Sequence, residues 1–195
     1  IKQCPRKRQT FLFSATISPE VLTISDKYMK NPKEVSVESK VDPSKLEQVF
    51  YDVNSYEKFS ILVHLLKKEH SKLVMVFSNT KKGVKFLEKN LKQQGINAMA
   101  LHGDLKQNKR KQILEHFHNN DTFVLVCTDV AARGLDINNV SHVYNYGSPK
   151  NATDYIHRIG RTARAGKEGK AITIISNEDY ESFRNVNKDH TLNIK

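Results

Sequence analysis

The stretch that decides the fold is Leu73-Val74-Met75-Val76-Phe77-Ser78-Asn79-Thr80. Its first five residues are apolar without alternation, which is typical of a parallel strand covered on both faces. Three polar residues follow where such a strand would end. Comparable apolar runs recur along the chain, at Leu46–Val53, Ala98–Leu101, Phe123–Cys127, His142–Asn145 and Ala171–Ile175. We therefore expect a sheet of about six strands.

The segments between these runs have helical spacing. Val84, Leu87 and Leu91 recur as on one face of a helix, and Gly95 is placed to end that helix. Strands that alternate with helices indicate βαβ units, so we predict an α/β fold, a parallel sheet with helices on both faces. Nearer the start, a short strand is predicted at Thr10–Phe13, and Ser18-Pro19 is predicted to begin a helix.

The polar residues 33–45 are punctuated by proline and are predicted to form a linker. This divides the chain into a first-domain segment (1–32), the linker (33–45) and a main domain (46–195). The net charge of +11 favours a polyanionic partner, most simply nucleic acid. Cys4 and Cys127 are predicted to be free thiols in a reducing compartment. No apolar run approaches the roughly 20 residues that span a bilayer, so we expect no membrane contact.

Polar clusters follow three of the predicted strands, and ligands of parallel sheets bind at the carboxyl ends of strands. These clusters are Ser78-Asn79-Thr80, His102-Gly103-Asp104 and Thr128-Asp129. Taken alone, Thr80 is typical of a helix N-cap, and Asp104 with Gln107 is typical of a capping box. Gln107 and Arg110 are three residues apart in a lysine-rich helix start, which could instead hold a sugar-phosphate backbone.

Two further segments contain candidate nucleotide-binding residues. In the run His157–Gly166, arginines recur at every third position. If the run is helical, Arg161 and Arg164 share a face and can converge on one phosphate, although an exposed basic helix end is the ordinary alternative. In Thr128–Asp136, Gly134 permits a close approach to phosphate and Asp136 can accept hydrogen bonds from ribose hydroxyls. Both residues could equally serve a turn.

On these residues the chain resembles the second RecA-like domain of DEAD-box RNA helicases, with the end of the first domain attached. The matching segments keep the family's order over residues 14–166. They are the SAT motif Ser14-Ala15-Thr16, motif IV at Val76–Thr80, the Q-x-x-R motif at Gln107–Arg110, motif V at Thr128–Asp136 and motif VI at His157–Gly166. The resemblance implies a RecA-like fold of the P-loop NTPase type and an ATP-dependent RNA helicase.

The resemblance also implies individual roles. Arg161 and Arg164 would be arginine fingers that stabilise charge on the transferring phosphoryl group. Asp136 would hold the ATP ribose, and the backbone of Gly134 would lie near the phosphates. Residues that couple the two domains would be Ser14, Thr16, Arg133 and His157. Residues that contact RNA would be Thr80, Gly103, Gln107, Arg110 and Thr128. Such contacts are mainly to the backbone, so we expect largely sequence-independent binding.

The chain departs from the family pattern in two ways. Ala163 replaces a glycine of motif VI. Alanine costs stability where φ is positive and stabilises a helix. We expect little functional loss from this replacement. The phosphate loop G-x-x-x-x-G-K-[ST], the D-E-A-D carboxylates and the Q motif are absent. We expect them to precede Ile1, in an N-terminal RecA-like domain that binds ATP and holds its Mg²⁺.

The chain alone is therefore expected to lack ATPase activity. We expect a monomer whose partners are RNA and the N-terminal RecA-like domain, in the cytoplasm or the nucleus. Three alternatives stay open from sequence: a non-catalytic RNA-binding module, a DNA helicase of the same superfamily, and a protein-interaction scaffold.

Overall fold

The structure is a computed structural model of the chain. It describes residues 3–5, 7–14, 19–35, 45–69, 71–119, 123–133, 135, 137, 140–163, 167–189, 192 and 194. The chain divides into two compact units, Ile1–Ser39 and Lys40–Lys195.

The first unit contains one helix among its described residues, α1 (Pro19–Tyr28). The cap predicted at Ser18 lies outside the described residues. The strand predicted at Thr10–Phe13 is wrong, because these residues are irregular and the side chains of Phe11 and Phe13 are 67% and 90% exposed. Apolar residues favour a strand only when a neighbouring strand pairs with them, and no described strand pairs with this segment.

Strands and helices alternate throughout the second unit, as the sequence predicts. Its elements are β1 (Leu46–Asp52), α2 (Lys58–Lys68), β2 (Leu73–Ser78), α3 (Lys81–Gln93), β3 (Ala98–Leu101), α4 (Gln107–His118), β4 (Val124–Cys127), α5 (Asp129–Ala132), β5 (Val140–Tyr146), α6 (Ala152–Ile159), β6 (Gly169–Ile175) and α7 (Tyr180–Asn187). A short 3₁₀ turn, Asn177–Asp179, precedes α7. Gly95 follows α3 with a φ of +75°, so the predicted helix end is confirmed.

The strands form one parallel sheet in the order β1-β6-β5-β2-β4-β3. Strand β2 lies inside the sheet, between β5 and β4, and every one of its six residues is buried. This explains the unbroken apolar run from Leu73 to Phe77, because both faces of β2 are covered.

Successive residues of β2 point to opposite faces of the sheet and belong to different cores. Val74 and Val76 pack on one face with the apolar side of α2 and α3. Met75 and Phe77 pack on the other face with α4 and α5. A third cluster joins α6 and α7 to the start of β1 and to β6. The prediction of helices on both faces is confirmed.

Within the part of the chain that the structure describes, no helix has both the length and the apolar character needed to cross a bilayer.

Candidate functional site

Parallel pairing of β2, β3 and β4 brings three polar clusters to one edge of the sheet. Ser78-Asn79-Thr80 follows β2, His102-Gly103-Asp104 follows β3, and Thr128-Asp129 follows β4. Helices α3 and α4 begin just beyond their clusters and α5 begins at Asp129, so their N-terminal amides lie at the same edge. Helix N-termini favour anions, since their first amides lack partners within the helix.

Two of the predicted RNA-contact residues are helix caps. The Thr80 Oγ1 accepts a hydrogen bond from the Gly83 amide at 3.0 Å, and the Thr128 Oγ1 accepts one from the Ala131 amide at 3.4 Å. The capping role that the sequence favoured for Thr80 is thus observed. A capping threonine uses its oxygen as acceptor and keeps its hydroxyl proton for donation. Capping is therefore compatible with a hydrogen bond to a phosphate.

At the start of α4, Gln107 is exposed, and its side chain forms no hydrogen bond with other described residues. Arg110 is half-buried, and its Nη2 donates to the carbonyl of Ala131 at the end of α5, at 3.0 Å. Arg110 therefore has a structural role, because its hydrogen bond holds the end of α5 against α4. Gly103 is exposed, and an added Cβ would approach nothing closer than the Cε of Lys81, at 3.6 Å.

The capping box predicted for Asp104 and Gln107 is wrong. Helix α4 begins at Gln107 itself, with Lys106 at the N-cap and no side-chain cap. The Asp104 carboxylate instead binds the Lys81 Nζ at 2.6 Å, and this contact lowers the pKa of Asp104. The lysine at the start of α3 competes successfully for the carboxylate, which local sequence spacing could not reveal.

Arg158 on α6 is the most heavily bonded side chain of this edge. It is only 1% exposed, yet it has a full positive charge. Its Nε and Nη2 donate to the two Asp129 carboxylate oxygens at 2.6 and 2.7 Å, a bidentate ion pair. The guanidinium also lies over the Phe77 ring, 5.3 Å from its centroid. A buried charge of this kind is tolerated because it is fully paired.

Arg158 also binds the ends of two further strands. Its Nη2 donates to the Asn79 Oδ1 at 2.7 Å, and its Nη1 donates to the Asn145 Oδ1 and the Gly147 carbonyl, both at 3.3 Å. One side chain therefore connects α6 to the segments after β2, β4 and β5. The sequence predictions did not include this role of Arg158. The sequence did contain a signal for this network, because Asn79, Asp129 and Asn145 all lie at carboxyl ends of predicted strands.

A second buried ion pair supports the neighbouring part of the edge. The Lys58 Nζ binds the Asp179 Oδ2 at 2.7 Å. The other Asp179 oxygen accepts the Ser148 amide at 3.1 Å, and the Asn79 Nδ2 donates to the Ser148 carbonyl at 2.9 Å. Asn79 thus joins both ion-paired networks into one rigid support beneath the loops.

The predicted convergence of Arg161 with Arg164 required a helix at Arg161, but Arg161 does not lie on a helix. Helix α6 ends at Ile159, and Ala163 has a φ of +52°, in the left-handed region. The chain therefore leaves the helical conformation after Ile159 and turns at Ala163. The Arg161 Nη1 donates to the Leu135 carbonyl at 2.7 Å. Leu135 stands between Gly134 and Asp136, so Arg161 is fixed against the backbone of the segment that also contains the predicted nucleotide residues.

A small pocket on this edge is lined by Arg133, His157 and Arg161 among other residues. Both His157 ring nitrogens are buried without a hydrogen-bond partner in the structure's described part. Burial lowers the pKa of His157, and the positive charge of Arg133 lowers that pKa further. Buried ring nitrogens without partners indicate that a hydrogen-bonding group from outside the described residues pairs with His157.

The charge of this pocket favours anions. Its lining has three guanidinium groups and two carboxylates, those of Asp129 and Asp154. Asp154 pairs with Arg133, whose Nη2 lies 2.6 Å from the Asp154 Oδ1. The Asn151 side chain caps α6 through the Asp154 amide at 2.8 Å and thereby holds Asp154 in place. Guanidinium groups therefore outnumber carboxylates in the described lining of this pocket.

Several predicted site residues lie outside the described residues: Thr16, Gly134, Asp136 and Arg164. Ser14 is exposed in the first unit. Among the described residues, no three His, Cys, Asp or Glu side chains form a group that could hold a metal ion.

Comparison with known proteins identifies the family. The helicase conserved C-terminal domain family matches residues 57–166. The Escherichia coli DEAD-box protein SrmB, solved in complex with the regulator of ribonuclease activity A, is 39% identical; the match covers 74% of this chain and 85% of that one, with a TM-score of 0.71. This chain belongs to the DEAD-box helicase family, as its helicase C-terminal domain. The RecA-like fold implied by the resemblance is confirmed.

Two further relatives of the helicase C-terminal domain extend the comparison. The ATP-dependent RNA helicase CshA of Limosilactobacillus reuteri is 42% identical over 189 residues, which are 96% of this chain and 38% of that protein. Saccharomyces cerevisiae Dbp5, solved with RNA and ADP BeF₃, is 32% identical with a TM-score of 0.85, covering 100% of this chain and 52% of that one. The chain thus spans little more than a third of the length of its CshA relative.

Proposed function

We propose that this helicase C-terminal domain is half of an ATP-dependent RNA helicase, in which it completes an ATP site and binds the RNA backbone. The names of its relatives support this proposal, since CshA is called an ATP-dependent RNA helicase and Dbp5 was solved with RNA and ADP BeF₃. The observation on which the proposal chiefly depends is the placement of Arg161. Its guanidinium lines a pocket in which guanidinium groups outnumber carboxylates, and the His157 ring nitrogens of that pocket have no hydrogen-bond partner among the described residues.

The chemistry assigned to Arg161 is electrostatic. A guanidinium fork can bind two oxygens of a phosphoryl group and stabilise the charge that develops during transfer. Arg164 is proposed as the second finger, Asp136 as the ribose ligand and Gly134 as the backbone contact to phosphate. ATP supplies the phosphoryl group, and we propose that an N-terminal RecA-like domain holds it together with Mg²⁺. The helicase C-terminal domain contributes the positive charge and its rigid support.

The RNA surface is proposed along the starts of α3, α4 and α5, through Thr80, Gly103, Gln107, Arg110 and Thr128. The exposed Gln107 amide and the threonine hydroxyl protons are donors suited to phosphate and ribose oxygens. These proposed contacts to phosphate and ribose would not distinguish bases, because backbone contacts contain no sequence information. Largely sequence-independent binding follows, with an affinity that falls as salt rises.

We further propose that Ser14, Thr16, Arg133 and His157 couple the two RecA-like domains when ATP and RNA close the cleft between them. The partnerless imidazole of His157 is suited to this role, because a group from the other domain could satisfy it. The segment 1–32 would then belong to the first domain, and 33–45 would be the linker. An intracellular location accompanies this proposal, because ATP and RNA are found inside cells.

The proposal is tested by steady-state phosphate release with and without saturating single-stranded RNA. The longer protein that contains this domain is expected to hydrolyse ATP in an RNA-dependent manner, and the 195-residue chain alone is expected to release no phosphate above background. RNA-independent turnover by the longer protein would contradict an RNA helicase. Equal stimulation by single-stranded DNA would favour the DNA helicase alternative.

A further inference from the structure

Helix α3 has five lysines, and three of them form ion pairs with described acidic residues. Asp104 pairs with Lys81 at 2.6 Å and with Lys85 at 3.5 Å. Glu88 pairs with Lys92 at 2.9 Å on the same helix. Two carboxylates, those of Asp104 and Glu88, therefore form ion pairs with three of the five lysines.

The two remaining lysines, Lys82 and Lys89, flank an exposed aromatic ring. Both are exposed, and neither forms an ion pair with another described residue. Phe86 follows Lys82 by four positions and precedes Lys89 by three, so the three residues share one helix face. The Phe86 side chain is 48% exposed. This helix face therefore combines a half-exposed ring with two positive charges that no described acidic residue pairs with.

The Phe86 ring is held in place from beneath. It packs edge-to-face on Phe59 of α2, with ring centroids 5.7 Å apart and an interplanar angle of 70°. Such a contact fixes the orientation of the ring and leaves part of its surface in water. Helix α3 thus presents a preoriented aromatic surface with a positive charge on either side.

We infer that Lys82, Phe86 and Lys89, the α3 surface, form a second RNA contact, on which one base stacks on Phe86 while neighbouring phosphates lie near the two ammonium groups. Aromatic rings with flanking cations are the usual platform for single-stranded nucleic acid, because every base can stack and every phosphate is charged. The inference rests on the proposed RNA-binding function. It adds a contact beyond the starts of the helices.

Continuity favours RNA over an acidic peptide. Thr80, at the start of the same helix, belongs to the proposed RNA surface. Six residues separate Thr80 from Phe86, and at about 1.5 Å per residue this is roughly 9 Å along the helix. A strand that leaves the helix starts can therefore reach Phe86 within a few nucleotides. RNA longer than the primary surface would gain this contact, and short RNA would not.

The test measures fluorescence anisotropy of the 195-residue chain with labelled oligouridylates of 6 and 15 nucleotides. The double variant Lys82→Gln/Lys89→Gln removes the charge of the α3 surface. Its matched control, Lys85→Gln/Lys92→Gln, removes the same charge from the same helix at lysines that are already paired. Phe86→Leu removes the ring and keeps an apolar side chain against Phe59.

For the 15-mer, we expect each α3-surface variant to weaken binding about tenfold and the control to change it less than about twofold. The slope of log K against log salt should fall by about 1.4 in the double variant, since two phosphate contacts are lost. For the 6-mer, no α3-surface variant should change binding beyond the control. Equal losses in the α3-surface variant and its control would overturn the inference.

Gln107→Ala separates this inference from the proposed function. If it weakens binding of both oligomers and the α3-surface variants do not, the primary RNA surface is upheld and the second contact is refuted. If the wild-type chain binds neither oligomer, both proposals fail. If polyglutamate binds the chain through the α3 surface while RNA binding ignores that surface, the partner is an acidic protein and the inference is wrong.

Discussion

Replacing Asp129 by asparagine should remove a large part of the domain's stability. Arg158 is 1% exposed, and Asp129 is its only carboxylate partner among the described residues. Asparagine keeps the size of the side chain but offers a single carbonyl oxygen in place of two charged ones. The Asn79, Asn145 and Gly147 acceptors remain, but none of them has a charge.

The expected magnitude follows from the two lost contacts. Each charge-assisted hydrogen bond contributes about 1.5–3 kcal/mol, and a remaining neutral one contributes about 1 kcal/mol. The free energy of unfolding of Asp129→Asn should therefore fall by about 3 kcal/mol, in line with the cost of removing one partner of a buried ion pair. Domains of this kind are stabilised by about 5–15 kcal/mol in all, so the loss is readily measured.

Urea unfolding followed by far-ultraviolet circular dichroism provides the assay, with a constant m-value as the check on two-state behaviour. Asp104→Asn is the matched control, because it makes the same chemical change in an ion pair whose side chains are 48% and 56% exposed. Solvent screens such pairs, so the control should unfold near the wild-type midpoint. If Asp129→Asn and Asp104→Asn unfold at the same urea concentration, Arg158 does not depend on Asp129 and the reasoning is refuted.

Three further predictions concern a pH profile, a backbone angle and a thiol. Burial lowers the pKa of His157, so the unfolded chain binds the imidazole proton more tightly than the folded chain does. The contribution of His157 to the free energy of unfolding is therefore fully present above the unfolded pKa near 6.5 and is lost as pH falls below that value. His157→Gln should flatten the dependence of the unfolding midpoint on pH between about 5 and 7, and an unchanged profile would contradict this. Ala163 is buried at a φ of +52°, so Ala163→Val should lower the free energy of unfolding by more than about 2 kcal/mol. In Ala163→Gly, relief of strain and loss of a buried methyl group should cancel to within about 1 kcal/mol. Equal unfolding midpoints for the two variants would argue against the left-handed turn. Cys4 is exposed, while Cys127 is buried and its burial raises the pKa of the thiol. A maleimide counted by mass spectrometry should therefore modify one thiol in the native chain and two in urea, and two in the native chain would mean that β4 is not buried.

The inner part of the sheet could be predicted from sequence because its strands β2 and β4 are covered on both faces. Burial imposes an unbroken apolar run on β2 and β4, and this signal is local. The segment Thr10–Phe13 has the same apolar character but no described pairing partner, so the same signal failed there. Apolar sequence therefore predicts a strand reliably only where the surrounding pattern also predicts its neighbours.

The candidate site was predictable in position but not in its connections. Strand ends located Thr80, Gly103 and Thr128 at one edge, because all parallel strands present their carboxyl ends together. The bonds of Arg158 join residues 29 and 79 positions apart, and no local spacing indicates them. Likewise, α6 ends at Ile159, before Arg161, although three-residue spacing suggested one continuous helical face. Long-range contacts of charged groups decided the positions of Arg158 and Asp104, and the end of α6 decided the position of Arg161.

The most direct test of the central claim is the RNA-stimulated kcat for ATP hydrolysis in the longer protein with Arg161→Ala. The control is Arg184→Ala, which removes an exposed arginine from α7. We predict that Arg161→Ala lowers kcat by about 10³ or more, leaves RNA affinity within about twofold of the wild type, and that the control retains full activity. A kcat for Arg161→Ala equal to that of Arg184→Ala would show that this domain does not supply the guanidinium for phosphoryl transfer.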